Sequence, residues 1–328
     1  MADAIVLKNL TKTFGETVAV RDLDLVVPEG ALYGVIGPNG AGKTTIIRMI
    51  LSILFADRGE LTILGNRSAL EAKDRIGYLP EERGMYKKMR VGEFLAYIAR
   101  LKGMDGPDLK RRIRGLLERV DLGNVEMRKC EELSKGMQQK AQFVASIIHH
   151  PDLLILDEPF SGLDPVNQRL LHELVIEEHK RGATILFSTH IMVHAEQSCD
   201  HVVMIHKGEK VLDETIAGIR AQFDPRSVLF EPIDPLADVH ALETVNGVLS
   251  VRREGSAWDI ALEEGADPAA VIRAIATAVA PSRIELRRPT LEDVFIAIVE
   301  GTTPVAGDER SQLRASLQEN SHAMEVRR

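Results

Sequence analysis

The sequence has few cysteines and no long apolar run. Cys130 and Cys199 are the only cysteines among 328 residues, too few for a disulfide framework, which favours a reducing compartment. No window approaches the ~20 consecutive apolar residues that a membrane-spanning helix needs. The nearest candidate, residues 46–55, is interrupted by Arg48, so we expect a buried helix there. The first residues lack a basic region followed by an apolar stretch, so no secretory signal is expected.

The sequence also lacks an excess of basic residues. It has 41 Lys and Arg against 49 Asp and Glu, a formal net charge of −8. Such a balance argues against nucleic acid as the main partner, although a local basic patch is compatible with it. A hydrophobic fraction of 45% and a charged fraction of 27% are typical of globular proteins, and the length predicts two domains.

Hydrophobic patterns predict an α/β fold followed by a small α+β domain. Short β-branched runs in residues 4–36 predict strands, and the period becomes helical over about residues 85–150. Continuous apolar runs at 153–156 and 183–187 predict strands of a sheet covered on both faces. We therefore expect a first domain over residues 1–223 that contains a helical subdomain.

The remaining residues have a different pattern. Strands are predicted at 227–230, 247–252, 258–262 and 284–286, with helices over about 268–279 and 290–300. This order predicts a small α+β domain over residues 224–300. The polar segment 301–328 has few large apolar residues, and we expect it to be disordered.

A glycine-rich segment between a predicted strand and an apolar helix fits the phosphate-loop pattern G-x-x-x-x-G-K-[ST]. The segment consists of Gly37, Pro38, Asn39, Gly40, Ala41, Gly42, Lys43, Thr44 and Thr45. Glycines let successive backbone N–H groups converge on phosphate oxygens, and the following helix adds the positive end of its dipole. We expect Lys43 to bridge the outer phosphates and the Thr44 hydroxyl to bind Mg²⁺.

Two carboxylates, Asp157 and Glu158, follow the apolar run at 153–156. An acidic pair after a strand is often a solvated turn, but the phosphate loop favours a functional role. A carboxylate at the strand tip suits the Mg²⁺ shell, which indicates Asp157. Glu158 would then extend toward the γ-phosphate and polarise an attacking water.

Ser134 is predicted to cap a helix that runs through Phe143, and a capped start beside Gly136 can also bind an anion. A simple cap is the commoner meaning of an isolated Leu-Ser-x-Gly. In this order, however, the phosphate loop, the segment at residues 133–136 and the acidic pair resemble an ATP-binding cassette (ABC) ATPase. Ser161-Gly162-Leu163-Asp164 resembles the D-loop of that family. The resemblance covers residues 4 to about 220.

Further site residues follow from this resemblance. His190 matches the switch histidine at a strand end, where it contacts the γ-phosphate, and Phe14 matches the aromatic residue that stacks on adenine. In the family two cassettes dimerise head to tail. Each ATP then lies between the phosphate loop of one chain and the signature segment of the other, here Ser134, Lys135 and Gly136, with Asp164 in the adjoining D-loop. The implied ligands are ATP and Mg²⁺.

The sequence departs from the usual family pattern at two places. The signature usually reads Leu-Ser-Gly-Gly-Gln, whereas Lys135 and Met137 occupy its third and fifth positions. Lys135 could favour the phosphate or simply face solvent. At the Q-loop Glu81 replaces the usual Gln; a carboxylate can still ligate Mg²⁺, with Glu82 as a competing ligand.

Both departures resemble the ATP-binding subunits of type-2 ABC exporters, particularly the sodium-efflux NatA-like branch. That resemblance implies a separate membrane-spanning permease, a second ABC subunit as in a homodimer, and a peripheral position on the cytoplasmic face of the membrane. The permease would dock near residues 81–100. Sodium or drug efflux is the implied function, with sodium suggested by the branch alone and lipids or peptides also open as cargo, and no nucleic-acid partner is expected. The alternatives are a soluble ABC-type ATPase that acts on nucleic acid or ribosomes, and a regulatory module that senses ATP.

Overall fold

The computed structural model describes residues 2–82, 84–222, 227–263, 265–287 and 290–300, with no account of the side chains of residues 221 and 222. The chain divides into two compact units, Met1–Ile216 and Ala217–Arg328. The predicted domain boundary between residues 223 and 224 and the predicted disordered segment 301–328 lie outside the described residues. No helix within the described ranges is long and apolar enough to cross a bilayer.

The first unit contains nine strands and six α-helices within the described residues, and a further α-helix, α7 (Ile216–Gln222), crosses the division. In chain order they are β1 (Asp3–Phe14), β2 (Thr17–Pro28), β3 (Leu32–Ile36), α1 (Lys43–Ile50), β4 (Arg58–Ile63), β5 (Ile76–Leu79), α2 (Val91–Leu101), α3 (Asp108–Arg119), α4 (Lys135–Ile147), β6 (Leu153–Asp157), α5 (Pro165–Lys180), β7 (Thr184–Thr189), α6 (Met192–Ser198), β8 (His201–His206) and β9 (Glu209–Thr215).

A six-stranded sheet in the order β5-β6-β7-β3-β8-β9 forms the centre of the first unit. Its pairs are parallel except for the β8–β9 hairpin. Every residue of β3, β6 and β7 is buried, as expected for apolar strands covered on both faces. The carboxyl ends of these parallel strands meet at one edge, which is where α/β folds place their ligands.

A second, three-stranded antiparallel sheet in the order β2-β1-β4 completes the core of the first unit. Burial alternates along the second half of β2, from Leu23 to Val27, and the buried residues of β1 and β2 form one apolar cluster with α1 and strands of the larger sheet. Helices α2, α3 and α4 pack against each other, in agreement with the predicted helical period over residues 85–150.

The prediction of a buried helix over residues 46–55 is wrong in its second half. Helix α1 ends at Ile50, and the N–H groups of Ile53 and Leu54 both donate to the Arg48 carbonyl. Ser52 has a φ of +55°, which stops helix propagation. As a result Ile53 is 60% exposed and Phe55 is 73% exposed.

Beyond α7, the second unit contains a four-stranded antiparallel sheet and two α-helices among its described residues. The elements are β10 (Ser227–Pro232), β11 (Val248–Glu254), β12 (Ala257–Leu262), α8 (Pro268–Ala278), β13 (Pro281–Arg287) and α9 (Leu291–Glu300), with the strand order β11-β12-β10-β13. The sheet and α8 share an apolar core that includes Val228, Phe230, Ile260 and Ile275. The predicted α+β order of elements is therefore confirmed.

Candidate functional site

The central sheet brings three predicted segments to one edge. β3 ends at Ile36, directly before the glycine-rich loop, while β6 ends at Asp157 and β7 ends at Thr189. Ile36 is paired with Thr189 across β3 and β7, and Asp157 is paired with Ser188 across β6 and β7. The loop, the acidic pair and the segment before His190 consequently lie side by side.

The loop of residues 37–42 has a backbone that requires glycine at two positions. Gly42 has a φ of +112°, and a Cβ there would lie 2.5 Å from the Ala19 carbonyl oxygen. A Cβ at Gly37 would lie 2.2 Å from the Ile205 carbonyl oxygen. Larger residues would therefore displace the loop, whose N–H groups precede the first turn of α1 and suit an anion.

Lys43 is held inside this loop. Its Nζ donates to the carbonyls of Gly37 at 2.8 Å and Pro38 at 3.1 Å, and it lies 3.9 Å from Glu158 Oε1. Burial lowers the pKa of Lys43, and the charges of Glu158, Asp157 and Glu81 oppose that shift. The geometry keeps a cation at the centre of the loop, opposite a group of carboxylates.

Asp157 lies at the tip of β6 and is only 1% exposed. Its Oδ1 accepts a hydrogen bond of 2.5 Å from the Ser188 hydroxyl, and the nearby Thr44 hydroxyl helps to lower the pKa of the carboxyl. Its Oδ2 is buried with no hydrogen-bond partner among the described residues. Burial raises the pKa of Asp157. A partnerless carboxylate oxygen beside a threonine hydroxyl suits Mg²⁺, which prefers hard oxygen ligands.

Glu158 is fixed by the end of β7. Its Oε1 accepts from the His190 backbone N–H at 2.9 Å and lies 2.8 Å from His190 Nδ1. Its Oε2 accepts from the Thr189 hydroxyl at 3.3 Å. The hydrogen bond to Glu158 raises the pKa of His190. The structure thus places His190 against the carboxylate that was predicted to polarise water.

Glu81 is part of the same electrostatic cluster. It follows β5, the neighbour of β6, and removal from water together with the charges of Asp157 and Glu158 raises its pKa. The charge of Glu82 raises the pKa of Glu81 further, and Lys43 opposes the shift. The position of Glu81 is compatible with a metal ligand on the Asp157 side.

The other predicted residues lie on the surface. Phe14 ends β1 and is 50% exposed. Ser134 and Lys135 are exposed at the start of α4, where the Ser134 Oγ accepts from the Met137 N–H at 3.3 Å. Asp164 caps α5 by accepting from two backbone N–H groups. Within the described ranges no hydrogen bond or ion pair joins these residues to the Lys43 and Glu158 cluster.

Sequence reasoning missed Thr189, Ser188 and Gln139. The first two hold Glu158 and Asp157 in place, and the Gln139 side chain donates to the Pro159 carbonyl, directly after Glu158. The position of Ser188 and Thr189 just before His190 was the available signal. Gln139 gave none, because only the packing of α4 against the segment after β6 brings it there.

Comparison with known proteins identifies the family. The ABC transporter family matches residues 20–161, and the family described as "ATP-binding protein DrrA1-3-like, C-terminal domain" matches residues 215–299. The chain is 40% identical over 294 residues to the uncharacterized ABC transporter ATP-binding protein YhaQ of Bacillus subtilis, which covers 89% of this chain and 97% of YhaQ. The chain belongs to the ABC transporter ATP-binding proteins.

Two other relatives of this ABC protein have names that mention a transporter or export. It is 40% identical over 197 residues to the ABC transporter ATP-binding protein NatA of Bacillus subtilis, covering 59% of this chain and 80% of NatA. It is 37% identical over 210 residues to the Nod factor export ATP-binding protein I of Cupriavidus pinatubonensis, covering 63% and 65% of the two chains.

A solved structure supports the ABC fold. The structure titled "Structure of ATP binding subunit of ABC transporter" is 34% identical, has a TM-score of 0.63, and covers 67% of this chain and 92% of its own. The predicted fold, a phosphate-loop ABC ATPase with a small C-terminal α+β unit, is therefore confirmed.

Proposed function

We propose that this ABC protein hydrolyses ATP with Mg²⁺ and drives export through a separate membrane-spanning permease. The observation that carries the proposal is the placement of Glu158 at one sheet edge, bonded to His190 and next to Lys43 and Asp157. A phosphate-binding loop, a base and a metal-type carboxylate in one cluster are the parts that phosphoryl transfer to water requires.

Each residue of the cluster has a chemical role in this proposal. The N–H groups of the loop and Lys43 bind the β- and γ-phosphates. Thr44, Asp157 and Glu81 would hold Mg²⁺, which neutralises charge on the phosphate oxygens when it is bound. Glu158 accepts a proton from the attacking water, while Thr189 and His190 orient its carboxylate. We assign the γ-phosphate contact to His190.

A head-to-tail dimer accounts for the exposed site residues. Ser134, Lys135 and Gly136 would contact the γ-phosphate bound to the other chain, where the helix start of α4 favours an anion. Asp164 would lie at the same interface, and Phe14 would stack on adenine. Two ATP molecules would then join the two chains, and hydrolysis would let them part.

Glu158→Gln tests the assigned base. An amide of the same size keeps the packing but cannot accept the proton, so we expect ATP hydrolysis to fall by about 10²–10⁴-fold. Binding of Mg·ATP should persist, and trapped ATP should shift the variant to a dimer in size-exclusion chromatography. Hydrolysis at the normal rate would overturn the base assignment, and a monomer at saturating Mg·ATP would overturn the dimer.

The surface proposed for the permease lies on the helical part of the first unit. Tyr86 is 53% exposed, and its ring packs edge-on against Phe94 and Tyr97 at centroid distances of 6.3 Å and 5.6 Å. A cavity of about 340 Å³ nearby in sequence is lined by Met85, Lys87, Cys130, Glu131 and Gln138. An exposed aromatic group next to a polar cavity supports docking of a short helix from a permease.

Replacement of Tyr86 tests this surface. We expect Tyr86→Ala to reduce transport in membranes severalfold while the ATPase activity of the isolated chain is unchanged. Among the described residues, no hydrogen bond, ion pair or ring contact joins Tyr86 to the Lys43 cluster. Leu101→Ala, which removes a side chain of similar exposure at the end of α2, is the matched control. Transport measured equally for both variants, or loss of nucleotide binding in Tyr86→Ala, would contradict the proposal.

Isolation of the chain from membranes distinguishes the proposed partner classes, and transport assays distinguish the cargo classes. We expect the tagged chain, purified from detergent-solubilised membranes, to bring down a multi-span protein, as its proposed peripheral position on the cytoplasmic face of the membrane requires. Ribosomal or nucleic-acid partners without a membrane protein would favour the soluble ATPase alternative. Sodium and drugs are the cargo classes we propose. Because one relative is named for Nod factor export, transport assays must include larger molecules.

A further inference from the structure

We propose that Gln139 is a positioning residue that links the signature segment (residues 133–136) to the catalytic Glu158 of the same chain. This inference rests on the proposed ATPase function and dimer. It adds a structural connection through which the signature segment affects the position of Glu158. Gln139 lies in α4 and is only 2% exposed, and its Nε2 donates to the Pro159 carbonyl at 3.2 Å. Its buried amide therefore acts on the residue directly after Glu158.

The backbone of Glu158 needs such support. Its φ of +49° lies in the left-handed region, which is unfavourable for a residue with a Cβ and persists where surrounding contacts hold it. On one side the Glu158 N–H donates to the Ser188 carbonyl of β7 at 3.1 Å. Pro159, the residue after Glu158, has no backbone N–H. Its carbonyl is therefore the one backbone group of Pro159 that can form a hydrogen bond to hold this end of the Glu158 backbone. Gln139 supplies that anchor.

Helix α4 connects this anchor to the signature segment. Ser134 caps α4, so Ser134 and Gln139 are about one and a half helical turns apart on one rigid element. The first turn also meets the D-loop, since a Cβ on Gly136 would lie 3.6 Å from Leu163 Cδ2. A shift of the signature segment must therefore move the Pro159 carbonyl, and with it the backbone of Glu158.

In the proposed dimer this connection joins the two ATP sites. The signature segment of a chain contacts one ATP, whereas Glu158 of that chain acts on the other. Gln139 would thus position Glu158 for hydrolysis only when the signature segment is engaged with nucleotide. The consequence is positive cooperativity in ATP hydrolysis that depends on the Gln139 amide.

Gln139→Met in the full chain tests this connection, because methionine keeps the length and apolar stem but cannot donate to Pro159. We expect kcat to fall on the order of 10-fold from misplacement of Glu158. The Hill coefficient for ATP should fall from a value approaching 2, the limit for two sites, to about 1. The Kd for ATP at protein concentrations that keep the chain monomeric should change less than about twofold.

Gln168→Met is the matched control. Gln168 also donates to carbonyls of the segment after Glu158, to Phe160 at 3.4 Å and to Leu163 at 3.0 Å, but from α5. Gln168→Met removes hydrogen bonds to the same segment but leaves the bond between Gln139 and the Pro159 carbonyl intact. The Hill coefficient of this variant should therefore remain that of the wild type. Gln139→Leu, which is also apolar and cannot donate, replaces Gln139→Met if the latter fails to fold.

The outcomes separate this inference from the proposed function. Wild-type kcat and Hill coefficient in Gln139→Met, an equal loss of cooperativity in Gln168→Met, or a wild-type Hill coefficient of 1 would each overturn the link while leaving the ATPase in place. If the wild-type chain hydrolysed no ATP, or if Glu158→Gln left its hydrolysis unchanged, the proposed function would be overturned, and the link with it.

Discussion

At the residue scale, Asp57 fixes the end of β1 that carries Phe14. Its Oδ2 accepts from the Thr13 N–H at 2.7 Å, and its Oδ1 accepts from Lys12 Nζ at 2.7 Å. Lys12 Nζ in turn lies 5.6 Å from the centre of the Phe14 ring, within range of a cation–π contact. The carboxylate therefore orders both the backbone before Phe14 and the cation beside its ring.

We predict that Asp57→Ala weakens ATP binding about fivefold, which corresponds to the loss of about 1 kcal/mol expected for one hydrogen-bonded support. Inorganic tripolyphosphate has no base to stack on Phe14, so its affinity should not change. Calorimetric titration of both ligands measures the difference.

Asp105→Ala provides the control for Asp57→Ala. Asp105 is also an exposed carboxylate that accepts from a backbone N–H, that of Gly106, and from an arginine side chain. Its replacement should leave both affinities unchanged. An equal loss of ATP and tripolyphosphate affinity in Asp57→Ala would show that the carboxylate supports the unit in general and not the Phe14 ring.

The central site residues could be predicted individually because each belongs to a local pattern. The glycine spacing, the strand before Asp157 and the position of His190 are all visible in the sequence. Their mutual contacts were not predictable. Thr189 reaches Glu158 only because β6 and β7 are parallel neighbours in a particular register, and register depends on the whole sheet.

At the element scale, the sequence predicted buried strands well and one helix badly. Apolar runs become strands β6 and β7 because parallel strands covered on both faces are apolar along most of their length, with polar residues mainly at their ends. The run at residues 46–55 has the same apolar character, but the turn at Ser52 is set by non-local contacts. Its hydroxyl lies 3.2 Å from the Ser68 hydroxyl and accepts from the Ala69 N–H.

Helix α5 was not predicted although its start has a clear local signal. Asp164 accepts from the N–H groups of Val166 and Asn167, and Pro165 occupies the first turn. Asp followed by Pro is a favourable helix start because proline lacks the N–H that would remain unpaired there. Asp164 was interpreted through the D-loop resemblance, and its capping role was overlooked.

The segment after α4 contains a histidine that makes stability depend on pH. His149 is buried, and its Nε2 lies 3.1 Å from the Ile76 carbonyl oxygen of β5. Burial lowers the pKa of His149 to about 4, and the charges of Lys102 and Arg112 add to this shift. The hydrogen bond to the Ile76 carbonyl and the charge of Asp74 oppose it. Arg112 also donates to the Ile147 carbonyl at the end of α4. A positive charge on His149 would be unfavourable in this environment.

We predict that the free energy of unfolding falls as the pH is lowered from about 6.5 to about 4. In that window unfolded His149 binds a proton and folded His149 does not, so acid favours unfolding. His149→Gln can still donate to the Ile76 carbonyl but does not titrate. Urea unfolding at pH 7.5 and pH 5 should therefore show a smaller loss of stability for the variant. The same loss in both proteins would contradict the assignment.

At the scale of the whole molecule, each unit has its own hydrophobic core. The first unit buries apolar residues of both sheets and α1 in one cluster, whereas the second unit surrounds Val228 and Phe230 with residues of its own strands and α8. The second unit alone matches the DrrA-like C-terminal domain. The candidate nucleotide site belongs to the first unit, which suggests that ligand binding and the stability of the second unit can be separated.

We predict two thermal transitions, of which Mg·ATP raises the midpoint of only one, because a ligand stabilises the unit that binds it. Phe230 is completely buried in the second unit, so Phe230→Ala should destabilise that unit by about 3–5 kcal/mol. Differential scanning calorimetry should then show the ATP-insensitive transition at lower temperature and the ATP-sensitive transition unmoved.

Phe143→Ala, which removes a completely buried ring from the first unit, should shift the ATP-sensitive transition instead. If Phe230→Ala moved both transitions together, the two units would unfold as one cooperative body, and the second unit would have to be counted as part of the nucleotide-binding fold.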